Sequence, residues 1–112
     1  MPNEAMQLDR VFRALGDPTR RAVLGRLSSG PAPVSELARP FDMALPSFTQ
    51  HLAVLEGCGL VRSRKTGRVR TVQLVPQPLQ AAERWMVEQR ALWERRLDQV
   101  DTYLKDLKER EE

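Results

Sequence analysis

A heptad pattern in the last third of the chain constrains the fold more than any other feature of the sequence. From Trp93 onward, apolar residues recur at steps of four, three, four and three, which is the spacing of a coiled-coil seam. The pattern predicts one long helix over residues 79–109, which Pro78 can open. A single helix of this length cannot bury its seam against so small a body. We expect part of it to pack on the first helix and the rest on a second copy of the chain.

The long helix therefore predicts a homodimer formed through the first and last helices. Two tryptophans lie on its apolar side, and we interpret them as interface or core aromatics in preference to the walls of a ligand pocket. The dimer-interface candidates are Leu8, Val11 and Phe12 of the first helix and Trp85, Trp93, Leu97, Val100 and Leu104 of the last.

The composition is that of one soluble globular domain. Hydrophobic residues make up 41% of the 112 residues and charged residues 29%. No apolar run approaches the roughly 18 residues of a membrane span, and the N-terminus has no secretory signal, so we expect a cytoplasmic protein without a membrane partner. The single cysteine, Cys58, excludes an internal disulfide. Its place between two glycines favours a small turn residue over a thiol switch.

Caps and turn residues divide the first half of the chain into four predicted helices. Asp17 can cap the second helix with its side chain, and Pro18 suits the first helical position. Gly57 and Gly59 are expected to end the fourth helix. The predicted helices are 4–15, 18–27, 35–38 and 45–56, with a loop at 28–33 and a turn at 40–44.

Residues 60–75 predict a two-stranded β-hairpin with its tip at Thr66-Gly67, because β-branched residues partly alternate with polar ones there. Five of the nine residues from Arg62 to Arg70 are basic and none is acidic. A local cluster of this kind indicates a polyanionic partner such as nucleic acid. Which of these side chains point outward depends on the strand register. The hairpin candidates for DNA contact are Arg62, Arg64, Lys65, Arg68 and Arg70.

The fourth helix combines an apolar face with an uncharged one. The spacing of Leu45, Phe48, Leu52 and Leu55 places these four residues on one face of a helix. The opposite face carries small or hydrogen-bonding groups and no charge, which suits contact with base edges in a major groove. The candidates on this helix for DNA contact are Pro46, Ser47, Thr49, Gln50 and His51.

Three helices, a short turn before the last of them and then a hairpin have the layout of a winged helix-turn-helix. The stretches FRALGDPTRRAVLGRL and SELARPFDMALPSFTQHLAVLEGCGLVRSRKTGRVRTVQL resemble the ArsR-type (arsenical-resistance repressor-like) regulators over about residues 8–75. This resemblance implies a homodimeric bacterial or archaeal repressor and an operator with dyad symmetry. The expected fold is mainly α with a small hairpin, in the order α-α-α-α-β-β-α. We expect a single domain, with a core at 4–75 and a dimerisation helix at 79–109.

Many members of that family sense metals through a Cys-x-Cys in the third helix or through His, Asp and Glu ligands in the last one. Here the third helix reads SELARPF without Cys, and the last helix has no His. One Cys and one His cannot assemble a three- or four-ligand soft-metal site in one chain. Asp98 and Asp101 are more readily explained as a solvated helix face. We therefore predict no metal and no cofactor, and the C-terminal sequence RWMVEQRALWERRLDQVDTYL is similar to a non-metal branch.

Some alternatives stay open in the sequence. His51 can contact phosphate or pack between helices, and Arg20 is a candidate phosphate contact or a member of a local surface pair. A winged helix can also serve protein–protein contact, as an antirepressor or adaptor, although a cationic hairpin is of little use there. An enzyme is the least favoured class, because no nucleophile set, carboxylate pair or glycine-rich phosphate loop is present. Neither an inducer nor its chemistry can be read from the residues.

Overall fold

The fold is mainly helical with a small antiparallel sheet. A computed structural model describes residues 4–111, and within them two compact units, residues 4–82 and residues 83–111. The elements are α1 (Glu4–Leu15), α2 (Pro18–Leu27), β1 (Ala32–Pro33), α3 (Val34–Ala38), α4 (Leu45–Gly57), β2 (Val61–Thr66), β3 (Val69–Leu74) and α5 (Gln77–Glu111). All predicted helices and the hairpin are present, and their bounds differ from the predicted ones by at most two residues.

Local caps explain where the helices of the first unit begin and end. Asp17 accepts a hydrogen bond from the Arg20 backbone N–H at 3.0 Å, and Pro18 follows at the first helical position, as predicted. At the far end of α4, the N–H of Gly59 donates to Glu56 and that of Leu60 to Leu55, both at 3.0 Å. This paired pattern requires a left-handed residue, and Gly59 supplies it with a φ of +80°.

The core of the first unit is formed by side chains from α1, α2, α4 and the sheet. Its most deeply buried large side chains are Phe48, Leu55, Leu60, Val11, Val23 and Val72. Val11 is only 1% exposed, so the prediction that it forms a dimer interface is wrong: the helical period that points it inward directs it into its own core. Leu8 and Phe12 are half-buried against this core.

The sheet contains one strand that the sequence did not predict. β1 pairs with β3 through Ala32 opposite Val72 and Pro33 opposite Thr71, and the strand order is β1-β3-β2. A strand of two residues shows no alternation of apolar and polar side chains, and prolines argue against a strand except at an edge, where β1 lies. The segment was therefore predicted only as a loop.

The tip of the hairpin lies one residue further along the chain than predicted. Thr66 is still paired, opposite Val69, so the two loop residues are Gly67 and Arg68. Gly67 has a φ of +62°, and a glycine in the first loop position is what a type II′ turn requires.

Leu45 belongs to the apolar face that the spacing predicts, but it is not buried, since 56% of its surface is exposed. Phe48, Leu52 and Leu55 occupy the buried face of α4 as expected. The ring of Phe41, from the turn before α4, stacks on Phe48 with centroids 5.6 Å apart. A turn residue thus packs against the core near the start of α4, whereas Leu45 lies outside the core.

The second unit is the remainder of α5, residues 83–111, which is a continuous helix. Its apolar side chains, which the heptad pattern predicted to form a seam, are exposed in the single chain; Trp93 is 65% exposed. The exposed large apolar residues of this unit are Trp85, Met86, Val87, Leu92, Trp93, Leu97, Val100, Tyr103, Leu104 and Leu107. Among residues 4–111, no helix has the length and apolar character needed to cross a bilayer.

Candidate nucleic-acid interface

The outward face of α4 presents uncharged groups to solvent. Pro46, Ser47, Thr49 and Gln50 are all exposed, while Phe48 on the opposite face is fully buried. The Thr49 hydroxyl donates to the carbonyl of Pro46 at 2.9 Å, so its oxygen remains available as an acceptor. The side chains of Ser47 and Gln50 form no hydrogen bond with any residue between 4 and 111, so their donors and acceptors are available to a partner.

His51 does not belong to this outward face. Its Nδ1 lies 3.1 Å from Nη1 of Arg20 and 3.7 Å from Oδ2 of Asp17, and three-quarters of its side chain is covered. The short distance to a guanidinium, which can only donate, means that Nδ1 accepts in this arrangement. Of the two interpretations left open, the structure favours packing between helices, because α2 holds the ring away from the exposed face.

Arg20 is likewise engaged within the first unit. Its Nε donates to the carbonyl of Ala14 at 2.8 Å and its Nη2 to the carbonyl of Arg13 at 3.1 Å. Both carbonyls lie in the last turn of α1, where helix carbonyls have no N–H partner four residues further along the helix, and the Arg13 carbonyl also accepts from the Gly16 N–H at 3.2 Å. Each of the three guanidinium nitrogens of Arg20 thus has an acceptor inside the chain, and the side chain joins α1 and α2 to His51 on α4. This geometry argues against the predicted phosphate contact.

Asp17 also takes part in the contact between α2 and α4, and its side chain is held as a carboxylate. The hydrogen bond from the Arg20 backbone N–H is the largest cause that lowers the pKa of Asp17 below its ordinary value of 3.8, and the positive charge of Arg20 acts in the same direction. Desolvation opposes these effects without reversing them. The contacts of Asp17 and Arg20 with His51 hold the start of α2 beside the middle of α4. They therefore set the position of the helix that carries the outward face.

The strand register divides the cations of the hairpin between two faces. The Ser63 hydroxyl donates to the Glu56 carboxylate of α4 at 3.0 Å, so the hairpin face that carries Ser63 is the one directed toward α4. Because side chains alternate along a strand, Lys65 shares that face, and so does its cross-strand partner Arg70. Arg70 also lines the crevice between α4 and the hairpin. The remaining cations are elsewhere: Arg62 and Arg64 are on the opposite face, and Arg68 is in the turn.

Lys65 and Arg70 face each other directly across the two strands, which is an unfavourable arrangement for like charges. None of the ion pairs found in residues 4–111 includes a cation of the hairpin. A phosphate backbone beside this face would supply the missing negative charge. The exposed face of α4 and the α4-facing cations of the hairpin, which we call the recognition surface, comprise Pro46, Ser47, Thr49, Gln50, Lys65 and Arg70.

Comparison with known proteins relates the chain to transcription regulators. Residues 15–64 match a helix-turn-helix domain family. The chain is 47% identical over 73 residues to the HTH-type transcriptional regulator Rv2034 of Mycobacterium tuberculosis, which covers 65% of this chain and 68% of that protein. It is 30% identical over 80 residues to the transcriptional repressor SdpR of Bacillus subtilis, covering 71% of this chain and 89% of the repressor.

Solved structures show the same architecture. The crystal structure of an ArsR family transcriptional regulator superposes with a TM-score of 0.79 and 58% identity, covering 84% of this chain and 97% of that one. A solution structure of a homodimeric winged helix-turn-helix domain, Mb0332 from Mycobacterium bovis, superposes with a TM-score of 0.60 and 26% identity, covering 77% and 82%.

Proposed function

Because this chain belongs to the ArsR family of winged helix-turn-helix transcription regulators, we propose that it represses transcription by binding, as a homodimer, an operator with dyad symmetry. The observation that carries this proposal is the recognition surface. An uncharged, hydrogen-bonding face on α4 lies beside hairpin cations that have no carboxylate partner within residues 4–111. Base edges and phosphates are the groups that such a pair of features complements.

In this function α4 enters the major groove with its outward face toward the bases. Gln50 is the residue best suited to specificity, since a glutamine amide can donate to and accept from one adenine at the same time. Ser47 and Thr49 add shorter hydrogen-bonding groups on the same side. Lys65 and Arg70 contact the phosphate backbone next to the groove, and Arg68, Arg62 and Arg64 add positive charge around the hairpin.

The dimer is proposed to form through the apolar stripe of residues 83–111, together with Leu8 and Phe12 of α1. In soluble proteins, a large set of exposed apolar side chains such as that of residues 83–111 marks an interaction site. The similarity to a homodimeric winged-helix domain supports a second copy as the partner. Two copies of α4 would then meet successive major grooves about one helical turn, ~34 Å, apart.

We make two further proposals: the repressor acts on the promoter of its own gene, and it does not respond to a metal ion. The second proposal rests on the few soft ligands available, since the chain has one Cys and one His. Cys58 is buried and its Sγ donates to the carbonyl of Leu55, while His51 is bound to Arg20. The Cys58 thiol and the His51 ring are therefore already engaged in hydrogen bonds within the chain, which disfavours their use as metal ligands. Addition of Zn²⁺, Ni²⁺ or Cd²⁺ is expected to leave DNA affinity unchanged.

The test is fluorescence anisotropy with the duplex upstream of the gene and with a shuffled duplex, at 50 and 200 mM salt. We expect a saturable preference for the upstream duplex and, for roughly 6–10 phosphate contacts, an affinity loss of about 10³–10⁵ between the two salt concentrations. Equal binding of both duplexes would remove the autoregulatory part of the proposal. Absence of measurable binding to either would favour the alternative of a protein–protein adaptor.

A further inference from the structure

Leu45 is an apolar side chain placed where a DNA-reading helix meets the bases. It is the first residue of α4 and is 56% exposed, compared with 39% for Val54 further along the same helix. Recognition helices contact base edges mainly through their N-terminal residues. Leu45 stands four residues before Thr49, so the two side chains lie on the same side of the helix, at the border of the outward face.

The major groove offers one apolar group for such a side chain, the C5 methyl of thymine. The rest of the base-edge pattern consists of donors and acceptors, which Ser47 and Gln50 can match but a leucine cannot. We propose that Leu45 contacts the methyl group of a thymine in each half-site and thereby determines specificity at that position. This inference rests on the proposed function, because it requires that α4 enter the major groove.

Leu45 lies outside the core, and near the start of α4 the core contains the stacked rings of Phe41 and Phe48. Pro46, the exposed neighbour of Leu45, adds a second apolar surface at the start of the helix. An exposed leucine costs free energy in water, and burial against a thymine methyl would recover it.

The experiment begins with selection of a tightly bound duplex from a pool of random 20-base-pair sequences, using the wild-type protein. The selected duplex is then synthesised with deoxyuridine in place of each thymidine in turn, which removes one methyl group and keeps the base pair. Wild-type protein is expected to lose about four-fold in affinity at one thymine of each half-site, the value of one buried methyl group. In Leu45→Ala, the ratio of thymidine to deoxyuridine affinity at that position is expected to fall to about one.

The matched control is Val54→Ala, which shortens another exposed apolar residue of α4 and is expected to keep the four-fold ratio. Leu45→Met, which keeps an apolar side chain of similar reach, should also retain a preference for thymidine. A ratio at every thymine that is the same in Leu45→Ala as in wild type would overturn the inference while leaving the proposed function intact. If the wild-type protein enriches no duplex, both the inference and the proposed function fail.

Discussion

The recognition surface and the apolar stripe of residues 83–111 are both exposed in the single chain, but the free energies of their hydration differ. The recognition surface exposes hydroxyl, amide and cationic groups, which water solvates well. The stripe exposes leucine, valine, tryptophan and tyrosine side chains, whose exposure is unfavourable in proportion to their area.

The difference indicates two kinds of partner. A solvated surface can remain free and bind reversibly, and its affinity depends on salt because its interactions are largely electrostatic. An apolar stripe on a helix gains free energy whenever it is covered, so it suits a lasting contact with a second copy. Three predictions test this distinction and a fourth tests the cap that positions α2 beside α4, beginning with the largest expected effect.

The first prediction concerns the stripe. Leu97→Glu places a charge where the proposed dimer is apolar, so we expect a monomer and a loss of operator affinity of about 10²-fold or more, because two linked half-site contacts become independent. Thr102→Glu adds the same charge on the far side of the helix from Leu97, Val100 and Leu104 and should leave a dimer. Analytical ultracentrifugation measures the oligomeric state. A dimeric Leu97→Glu protein would show that the stripe is not the interface.

The second prediction concerns base reading by α4. Gln50→Ala removes the proposed bidentate hydrogen bonds to adenine, and we expect it to weaken operator binding by about 1–3 kcal/mol in each half-site, while binding to random DNA barely changes. Anisotropy with both duplexes measures the two affinities. Similar reductions in affinity for both duplexes would remove Gln50 from a base-reading role.

The third prediction concerns the hairpin cations. The double change Lys65→Ala/Arg70→Ala should weaken binding to operator and random DNA by similar factors and lower the salt slope by about 1 for each phosphate interaction removed. It should not lower the free energy of unfolding, because it removes two like charges that face each other across the strands.

Arg62 and Arg64, two other cations of the hairpin, provide the matched control for the double change. They lie on the hairpin face opposite to Lys65 and Arg70. The double change Arg62→Ala/Arg64→Ala, which also removes two charges, is therefore expected to change the salt slope less than Lys65→Ala/Arg70→Ala does. An equal or larger effect would show that the other face of the hairpin meets DNA.

The smallest effect is expected for the cap of α2. Asp17→Ala should lower the free energy of unfolding by about 1 kcal/mol at neutral pH, within the usual range for removal of an N-cap. The pKa of Asp17 is lowered in the folded state, chiefly by the hydrogen bond from Arg20, so this stability is present above the ordinary pKa of 3.8 and is lost as the pH falls below it. Urea unfolding at pH 7 and near pH 3 measures both values.

Asp17→Asn separates the cap from the charge in the same experiment. Asparagine keeps an acceptor oxygen for the Arg20 N–H, and it is a good N-cap residue. It should preserve most of the stability at pH 7 and show little of the loss at low pH. A pH dependence equal to that of wild type would assign the effect to another carboxylate.

The sequence by itself determined the features that depend on neighbours along the chain. The cap at Asp17, the glycine in the left-handed position at Gly59 and the helical periods of α1, α2 and α5 involve residues within about five positions of one another. The hairpin and the basic cluster on it were predicted for the same reason, because a two-residue turn and its flanking strands are local.

Only the tertiary structure decided the features that depend on residues distant in the chain. Strand β1 exists because β3 lies beside it, and Leu45 is exposed although its spacing groups it with the buried Phe48. His51 and Arg20, 31 positions apart, are hydrogen-bonded to each other. The helical and strand periods in the sequence predict which side chains share a face. Packing and hydrogen bonding between distant residues determine which of those faces is covered.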